Sequence, residues 1–477
     1  MTAAPEGPLV IGVDSSTQST KVLVVDSATG TVVARGQAPH AVTAEGDSDP
    51  EQWWDALCRA VAQCGPAAQQ AAAVSVAGQQ HGLVALDAGG RPVRNALLWN
   101  DTRSAPQRDR LLESLGGPAA WAERTGSVPA ASFTVTKWAW LRENEPERAA
   151  AVRAVRLPHD YLTGRLAGHG IGEGTTDRGD ASGTGWWSSA TESYDQEILE
   201  LAGLDAELLP RVVAGGEQAG TVRAGGPLPE GIAVAAGTGD NMAGALGLGL
   251  TAGQPAMSLG TSGTVYAVSG RRPADPSGIV AGFADARHGW LPLACTLNCT
   301  QAVDRIAALL GREREQVEPG GSAVVLPFLD GERTPDLPWA TGLVHGLRAE
   351  TTGGQVLQAA YDGAVFALLQ ALDLVLGEDA GGEEPILLIG GGARGTAWRE
   401  TVRRLSGRAV RIPAAQELVA LGAAAQAAGL LLGQDPAEVA RGWNTTEGPS
   451  YEPVERDRAA LERLAATLDR ATPLLRG

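Results

Sequence analysis

The sequence predicts an α/β protein built from two similar domains that face a shared cleft. Three observations predict it. The chain runs to 477 residues, more than one hydrophobic core organises. A unit of strand, hydroxyl-rich turn and strand, "VIGVDSSTQSTKVLVVD", stands near its start, and a second of the same type, "AMSLGTSGTVYAVS", lies just past its midpoint.

The flanks of the first unit are rich in Val, Ile and Leu and read as a hairpin whose connection is the six residues Ser15–Thr20. Those hydroxyls could wrap an anion, and a solvated turn capping its own backbone is the plainer alternative. Next, Asp49 and Pro50 form an N-cap and first helical position. In "AAAVSVAGQQHGLVALDAGGRPVRNALLWND" polar residues gather at the ends of short apolar runs. Ala105 to Ala154 reads as mainly helical, with Trp121, Trp138 and Trp140 as packing residues. The stretch "GHGIGEGTTDRGDASGTGWW" is dense in Gly and Asp, and its pattern favours a surface loop. In "GIAVAAGTGDNMAGALGLGL" a buried strand enters a Gly turn and a small-residue helix, so Asp240 at the junction can point a carboxylate into a cleft. In the second hairpin Gly260 and Gly263 admit close backbone approach while Thr261, Ser262 and Thr264 supply hydroxyls, the chemistry of an anion nest. "ILLIGGGARGTAWRE" sets three glycines between an apolar strand and a helix, suited to a nucleotide or to a packing turn. "ELVALGAAAQAAG" reads as a helix of small residues made for close packing.

Composition narrows the partners. A formal charge of -17 argues against nucleic acid, which needs clustered Lys and Arg. Lysine occurs only at Lys21 and Lys137, each preceded by Thr, so no Walker A Gly-Lys pair exists. Cys58, Cys64, Cys295 and Cys299 fit neither zinc spacing nor a disulfide framework and read as small apolar residues. The N-terminal residues carry no signal pattern and the apolar run "LVALGAAAQAAGLLLG" is broken by Gln426, so a cytoplasmic protein without a membrane partner is expected.

The ordered set "GVDSSTQSTK", "GQQHG", "LWNDTR", "LPHDYL", "TTDRGDASGT", "GTGDNMAG", "LGTSGT", "DGERTP" and "LIGGGAR" resembles the FGGY family of carbohydrate kinases across nearly the whole chain. The resemblance implies two ribonuclease H-like domains of the actin and hexokinase type with a central cleft. Residues 1–250 would form a sugar-binding and catalytic-base domain, and residues 251–477 a nucleotide-binding domain. It implies ATP as co-substrate with Mg²⁺, and a ketopentose as acceptor: D-xylulose first, with ribulose or another ketopentose as the alternative. Asp14 would position Mg²⁺, with Thr17 in the phosphate-facing hydroxyl loop. Gln80, His81, Asn100, Asp101 and Asn241 would hold the open-chain sugar. Asp240 would be the catalytic base. Gly260, Thr261 and Ser262 would meet phosphate, and Gly391 and Gly392 the adenosine side. A homodimer is one assembly open to it.

Two positions depart from the family pattern. Gln80 stands where the pattern often reads Met, adding a donor and an acceptor to an apolar wall and bearing on which pentulose is read. Gly179 stands where Ser or a similar residue is expected, a change read as loop flexibility alone. The rival classes are an ATP-driven chaperone, for which the residues after Trp443 are too few to form a client module, and a sugar-binding regulator without turnover, which the retained Asp14 and Asp240 oppose. His40, His159, His169, His288 and His345 read as surface or satisfied core residues.

Overall fold

The computed structural model describes residues 5–378 and 382–475. The chain forms two compact units. One comprises residues 1–250, 270–291 and 416–445, the other residues 251–269, 292–415 and 446–477.

The first unit is organised by a mixed sheet of β1 (Leu9–Ser15), β2 (Ser19–Asp26), β3 (Val32–Pro39), β4 (Ala71–Gly78), β5 (Gln218–Thr221), β6 (Ala233–Ala235) and the short β7 (Thr238–Gly239). Its order is β3-β2-β1-β4-β6-β5, with β7 also pairing with β4. The first two contacts are antiparallel, the next two parallel and the last antiparallel. Every residue of β1 is buried, which is why it reads as an unbroken apolar run ending in Asp14. The hairpin connection is shorter than the six residues expected. Ser15 pairs with Thr20 across the strands, and their hydroxyls lie 3.2 Å apart, leaving Ser16, Thr17 and Gln18 as the turn. A β-branched Thr at a cross-strand position favours the ladder over the loop.

The Ala-rich helix Leu418–Leu432 packs on this sheet and on the helix Asp240–Gly247. Backbones approach so closely here that a Cβ on Gly12 would stand 1.9 Å from the Ala420 carbonyl oxygen, and one on Gly422 1.8 Å from that of Ala243. Gln426, the polar break in the apolar run, is fully buried. It accepts a hydrogen bond from Ser75 Oγ at 2.6 Å and donates to the Gly237 carbonyl at 3.1 Å, fastening the helix to the backbone just ahead of Asp240.

The second unit repeats the pairing order. Its strands are β8 (Pro255–Leu259), β9 (Gly263–Ala267), β10 (Trp290–Thr296, paired with β9 from Leu293 on), β11 (Ile386–Ile389), β12 (Val410–Arg411) and β13 (Ser450–Tyr451). They run β10-β9-β8-β11-β12-β13, again antiparallel twice, parallel twice, then antiparallel. Two units of one topology are what the two like hairpins predict. The helix Gly353–Leu376 is long and apolar enough to cross a membrane, but 78% of its apolar window is buried inside the fold. All four cysteines are free, with Cys64 and Cys299 buried and Cys58 and Cys295 partly exposed.

The close packing of the Ala-rich helix has a direct test. Gly422→Ala forces a methyl into the Ala243 backbone and should cost about 1–3 kcal/mol, the usual penalty of overpacking. Gly442→Ala, whose Cβ would meet open space, should be near neutral. Thermal unfolding of the two variants distinguishes them.

Candidate active site

The C-terminal ends of β1, β4 and β7 carry the polar residues that the strands themselves exclude. Asp14 follows the apolar core of β1 and is 3% exposed. Its Oδ1 accepts from Ser16 Oγ at 2.6 Å, so the first hydroxyl of the turn folds back onto the carboxylate. Lys21 Nζ stands 3.9 Å from Asp14 Oδ2 and is bonded more closely, at 2.6 Å, to Glu417. Burial pushes the Asp14 carboxyl up, while Ser16 and Lys21 pull against it. Thr17, at the tip of the turn, accepts from Trp99 Nε1 at 2.9 Å.

β4 ends at Gly78, and Gln79, Gln80 and His81 follow. His81 has a φ of 64°, a left-handed conformation costly for a side chain of its size. Three contacts hold it there: Nδ1 lies 2.6 Å from the Gly183 carbonyl, the ring stacks on Phe133 at 4.6 Å, and its own carbonyl accepts from Lys137 Nζ at 2.8 Å. Gln80 is 3% exposed and accepts from Asn241 Nδ2 at 2.7 Å. Among the described residues its Nε2, like that of Gln79, is buried without a partner. Two orphaned amide donors at one strand end suit a polyhydroxy ligand, whose oxygens can accept from them.

β7 leads directly into the helix Asp240–Gly247, with Asp240 as its first residue. Asp240 Oδ1 accepts from the Asn241 backbone N at 2.9 Å and more loosely from Asn241 Nδ2 at 3.3 Å. The residue keeps part of its surface open while protein walls its carboxyl. Burial, then the neighbouring charges of Asp14 and Asp180, push it up to about 7. One continuous set, Asp240–Asn241–Gln80, thus joins the expected base to the expected sugar loop.

Asn100 and Asp101 lie on the "LWND" stretch, and the charge of Asp101 reaches Lys137, whose Nζ donates to the His81 carbonyl. Asp101 is buried and turned to Arg103, whose backbone N and Nε both donate to its Oδ1, at 2.9 and 3.0 Å. Asn100 is exposed. In the same "LWND" stretch it is Trp99, half exposed and bonded to Thr17, that reaches the first turn. Trp99 was not singled out by the sequence reading, although a Trp one place before Asn100 in that motif was its signal.

The stretch expected as a surface loop divides. Gly168–Glu173 is largely at the surface, but residues 174–189 are buried. The carboxylates of this stretch are held internally, although Thr175 Oγ1, Thr176 Oγ1 and Trp187 Nε1 are buried without a hydrogen-bond partner among the described residues. Asp177 accepts from the backbone N of Gly179 and Asp180, both at 2.9 Å, and from Thr238 Oγ1 at 2.7 Å, and Ser182 Oγ donates to the Gly179 carbonyl at 2.6 Å. Gly179 is accordingly a packing position and no source of flexibility: a Cβ there would lie 2.7 Å from Asp177 Oδ2 and 2.9 Å from both Met242 and Thr238.

In the second unit, Gly260 bridges its turn by donating to the Ser262 carbonyl at 3.2 Å, and its own carbonyl accepts from Thr300 N and Oγ1 at 3.1 and 2.7 Å. Thr261 and Ser262 are exposed at the tip. The glycines after β11 pack against Leu259, the residue before Gly260: a Cβ on Gly392 would meet Leu259 Cβ at 2.8 Å, whereas Gly391 faces open space. The two glycine loops of this unit therefore share one end of the sheet.

No group of three or more potential ligands able to hold a metal ion occurs among the described residues. Asp14 still suits a cation that brings most of its own ligands, because its buried carboxylate lies near a second negative charge that a divalent ion would offset.

Comparison with known proteins adds the lineage of these features. Residues 9–247 match the N-terminal domain of the FGGY family of carbohydrate kinases, and residues 256–430 its C-terminal domain. A xylulose kinase of Streptomyces rubiginosus is 72% identical over 477 residues, covering 99% of this chain and 98% of the relative. That of Escherichia coli K12 is 34% identical, covering 84% and 85%. Among solved structures, xylulose kinase from Bifidobacterium adolescentis superposes with a TM-score of 0.88 at 38% identity, over 97% of this chain and 99% of that one.

The raised Asp240 carboxyl makes a stability prediction. Its folded-state value lies well above the ordinary carboxylate range, so the folded protein holds this proton more tightly than the unfolded chain. Stability from this group falls as pH rises from about 4 to about 7, and the loss is complete above that. Asp240→Asn carries no charge to bury, so without ligands it should melt above wild type at pH 8, with the gap closing towards pH 4. A carboxylate that merely caps its helix would instead lose stability on this change.

Proposed function

The chain belongs to the FGGY family of carbohydrate kinases, and we propose that it transfers the γ-phosphoryl group of ATP to the terminal hydroxyl of D-xylulose, giving D-xylulose 5-phosphate and ADP. The observation that carries the reading is the joined set Asp240–Asn241–Gln80 beside the hydroxyl turn of Asp14, in a chain 72% identical to a xylulose kinase along its full length. Its setting is that of a cytoplasmic metabolic enzyme.

In this reading the amides of Gln80 and Asn241, with His81, hold the open-chain sugar so that its primary hydroxyl stands at Asp240. The hydroxyl oxygen forms a bond to the γ-phosphorus while the bond to the departing ADP oxygen breaks, and the hydroxyl proton passes to Asp240 late in the transfer. A carboxylate near 7 is well matched to accept it at neutral pH. Most of the acceleration would come from alignment and from stabilising charge on the transferring group, to which the turn Ser16–Gln18 would offer hydroxyls and backbone N–H donors; Gly260, Thr261 and Ser262 would meet nucleotide phosphate. Gly391 and Gly392 would leave room for the adenosine. Asp14 would hold the Mg²⁺ that accompanies ATP, an ion that when bound neutralises phosphate charge. Asn100 and Asp101 would complete the sugar site.

A specific observation favours a second reading of the acceptor alone. The orphaned Gln80 Nε2 can read the configuration of one hydroxyl, so another ketopentose such as ribulose is the alternative substrate. A coupled assay with ATP and Mg²⁺ over a ketopentose panel decides between them. D-xylulose should show the highest kcat/KM, and a higher value for D-ribulose would reassign the substrate within the kinase class. Gln80→Met should change the ratio between sugars while leaving the KM for ATP near wild type. A large ATP effect would remove Gln80 from the sugar site.

A further inference from the structure

Beneath the sugar loop and the base lies a buried group that the mechanism above does not use. The helix Pro158–Ala167 begins with His159 and Asp160, and the turn Asp177–Asp180 faces them. All four side chains are 0–1% exposed. His159 Nδ1 is hydrogen-bonded to Asp180 Oδ2 at 2.7 Å, while Nε2 lies 3.2 Å from Asp160 Oδ1 in a charge contact without hydrogen-bond geometry. Asp160 Oδ2 accepts from the Leu157 backbone N at 2.8 Å, and Asp177 accepts from Thr238. Arg156, whose charge also reaches Asp160, gives its guanidinium hydrogens to the carbonyls of Val155, Leu208 and Ile171. Among the described residues the basic side chain bonded to this cluster is therefore His159.

The two strand ends that carry the site rest on His159. A Cβ on Gly78, the last residue of β4, would lie 2.8 Å from the His159 backbone N, and one on Gly237, just ahead of β7, would lie 2.6 Å from His159 Cδ2. Gly78 precedes Gln79 and Gln80, while Gly237 precedes Thr238, Gly239 and Asp240. We propose that His159, bonded to Asp180 and in close contact with Asp160, is a positioning residue for phosphoryl transfer, fixing the ends of β4 and β7 against each other and balancing the Asp180 carboxylate. The inference rests on Asp240 as the base.

Electrostatics agrees with the geometry. Burial opposes charge on His159, but Asp160 and the hydrogen bond to Asp180 outweigh it and push the ring up to about 9. The groups that face it are Asp160 on its own helix, Asp177 and Asp180 from the turn, with Arg156 beyond Asp160 and Asp240 beyond Asp180. Removing the cation leaves Asp180 uncompensated towards Asp240. It also frees two strand ends whose displacement by about 1 Å can cost on the order of 10²-fold in rate.

The test uses the full chain and pH profiles of kcat/KM for D-xylulose. His159→Gln keeps one hydrogen bond and deletes the charge, and should lower kcat by about 10- to 100-fold, move the acid limb to higher pH and leave the KM for ATP unchanged. His159→Lys restores a cation and should return the acid limb towards wild type. Thr238→Val cuts the tie to Asp177 without altering charge and should lower kcat with the limb unmoved. A folded His159→Gln with wild-type kcat and limb overturns the proposal, as does a His159→Lys indistinguishable from it. Should His159→Gln not fold, the Thr238→Val and His159→Lys pair decides, a wild-type rate in the former overturning the proposal. Asp240→Asn is run alongside. Its loss of on the order of 10²- to 10⁴-fold in kcat upholds the underlying reading, and retention of turnover would sink that reading whatever His159 does.

Discussion

The structure depends on the cost of holding like charges together out of water. Asp14 and Asp240 occupy one unit with Asp180 behind them, and burial and mutual repulsion keep the Asp240 carboxyl far above a carboxylate's ordinary range. Such an arrangement persists only where the surrounding fold over-determines it. Here the packing against the Ala-rich helix, the buried Gln426 amide and the His159 cluster each fix the backbone that carries a carboxylate. The strain is relieved when a proton or a cation arrives, which is what a phosphoryl-transfer site requires.

Topology explains why the functional loops fall where they do. Both sheets run antiparallel, antiparallel, parallel, parallel, antiparallel, and in both the tip of the central hairpin is a hydroxyl-bearing turn. In both, the parallel neighbour of that hairpin also ends in a polar or glycine loop: Gln79–His81 after β4, and Gly390–Gly392 after β11. Ligand-binding residues collect outside the carboxyl ends of parallel strands because helices cover the faces and leave those ends open. One scaffold, used twice, thus offers amides and an imidazole in one unit and bare glycine backbone in the other.

Much of this was legible in the sequence, since apolar runs that end in polar or glycine residues declare a strand end. β1, β4 and β8 were readable in that way, as was the Asp240 junction between strand and helix. What failed to show was satisfaction of polarity at a distance. The Thr175–Trp187 stretch looks too polar for a core, yet each of its carboxylates finds a partner, Asp177 at Thr238 sixty-one residues away and Asp180 at His159. Gly179 reads as slack and is filled space. The turn of the first hairpin reads longer in the sequence than it is, because Ser15 and Thr20 look like loop residues but pair across the strands. The "LWND" motif likewise locates a loop, and the fold adds a bond that spacing does not show, from Trp99 Nε1 to Thr17.

The central claim is that Asp240 remains protonated in the resting enzyme up to near neutral pH, through burial and the nearby charge of Asp14. A pH-titrated infrared difference spectrum, wild type minus Asp240→Asn, isolates its carboxyl signal in the ligand-free protein. The account predicts a carboxylic-acid band that persists towards pH 7 and that, in the Asp14→Asn background, disappears at distinctly lower pH. A band already lost by about pH 5 in the wild-type background, or one that Asp14→Asn leaves unmoved, would contradict it.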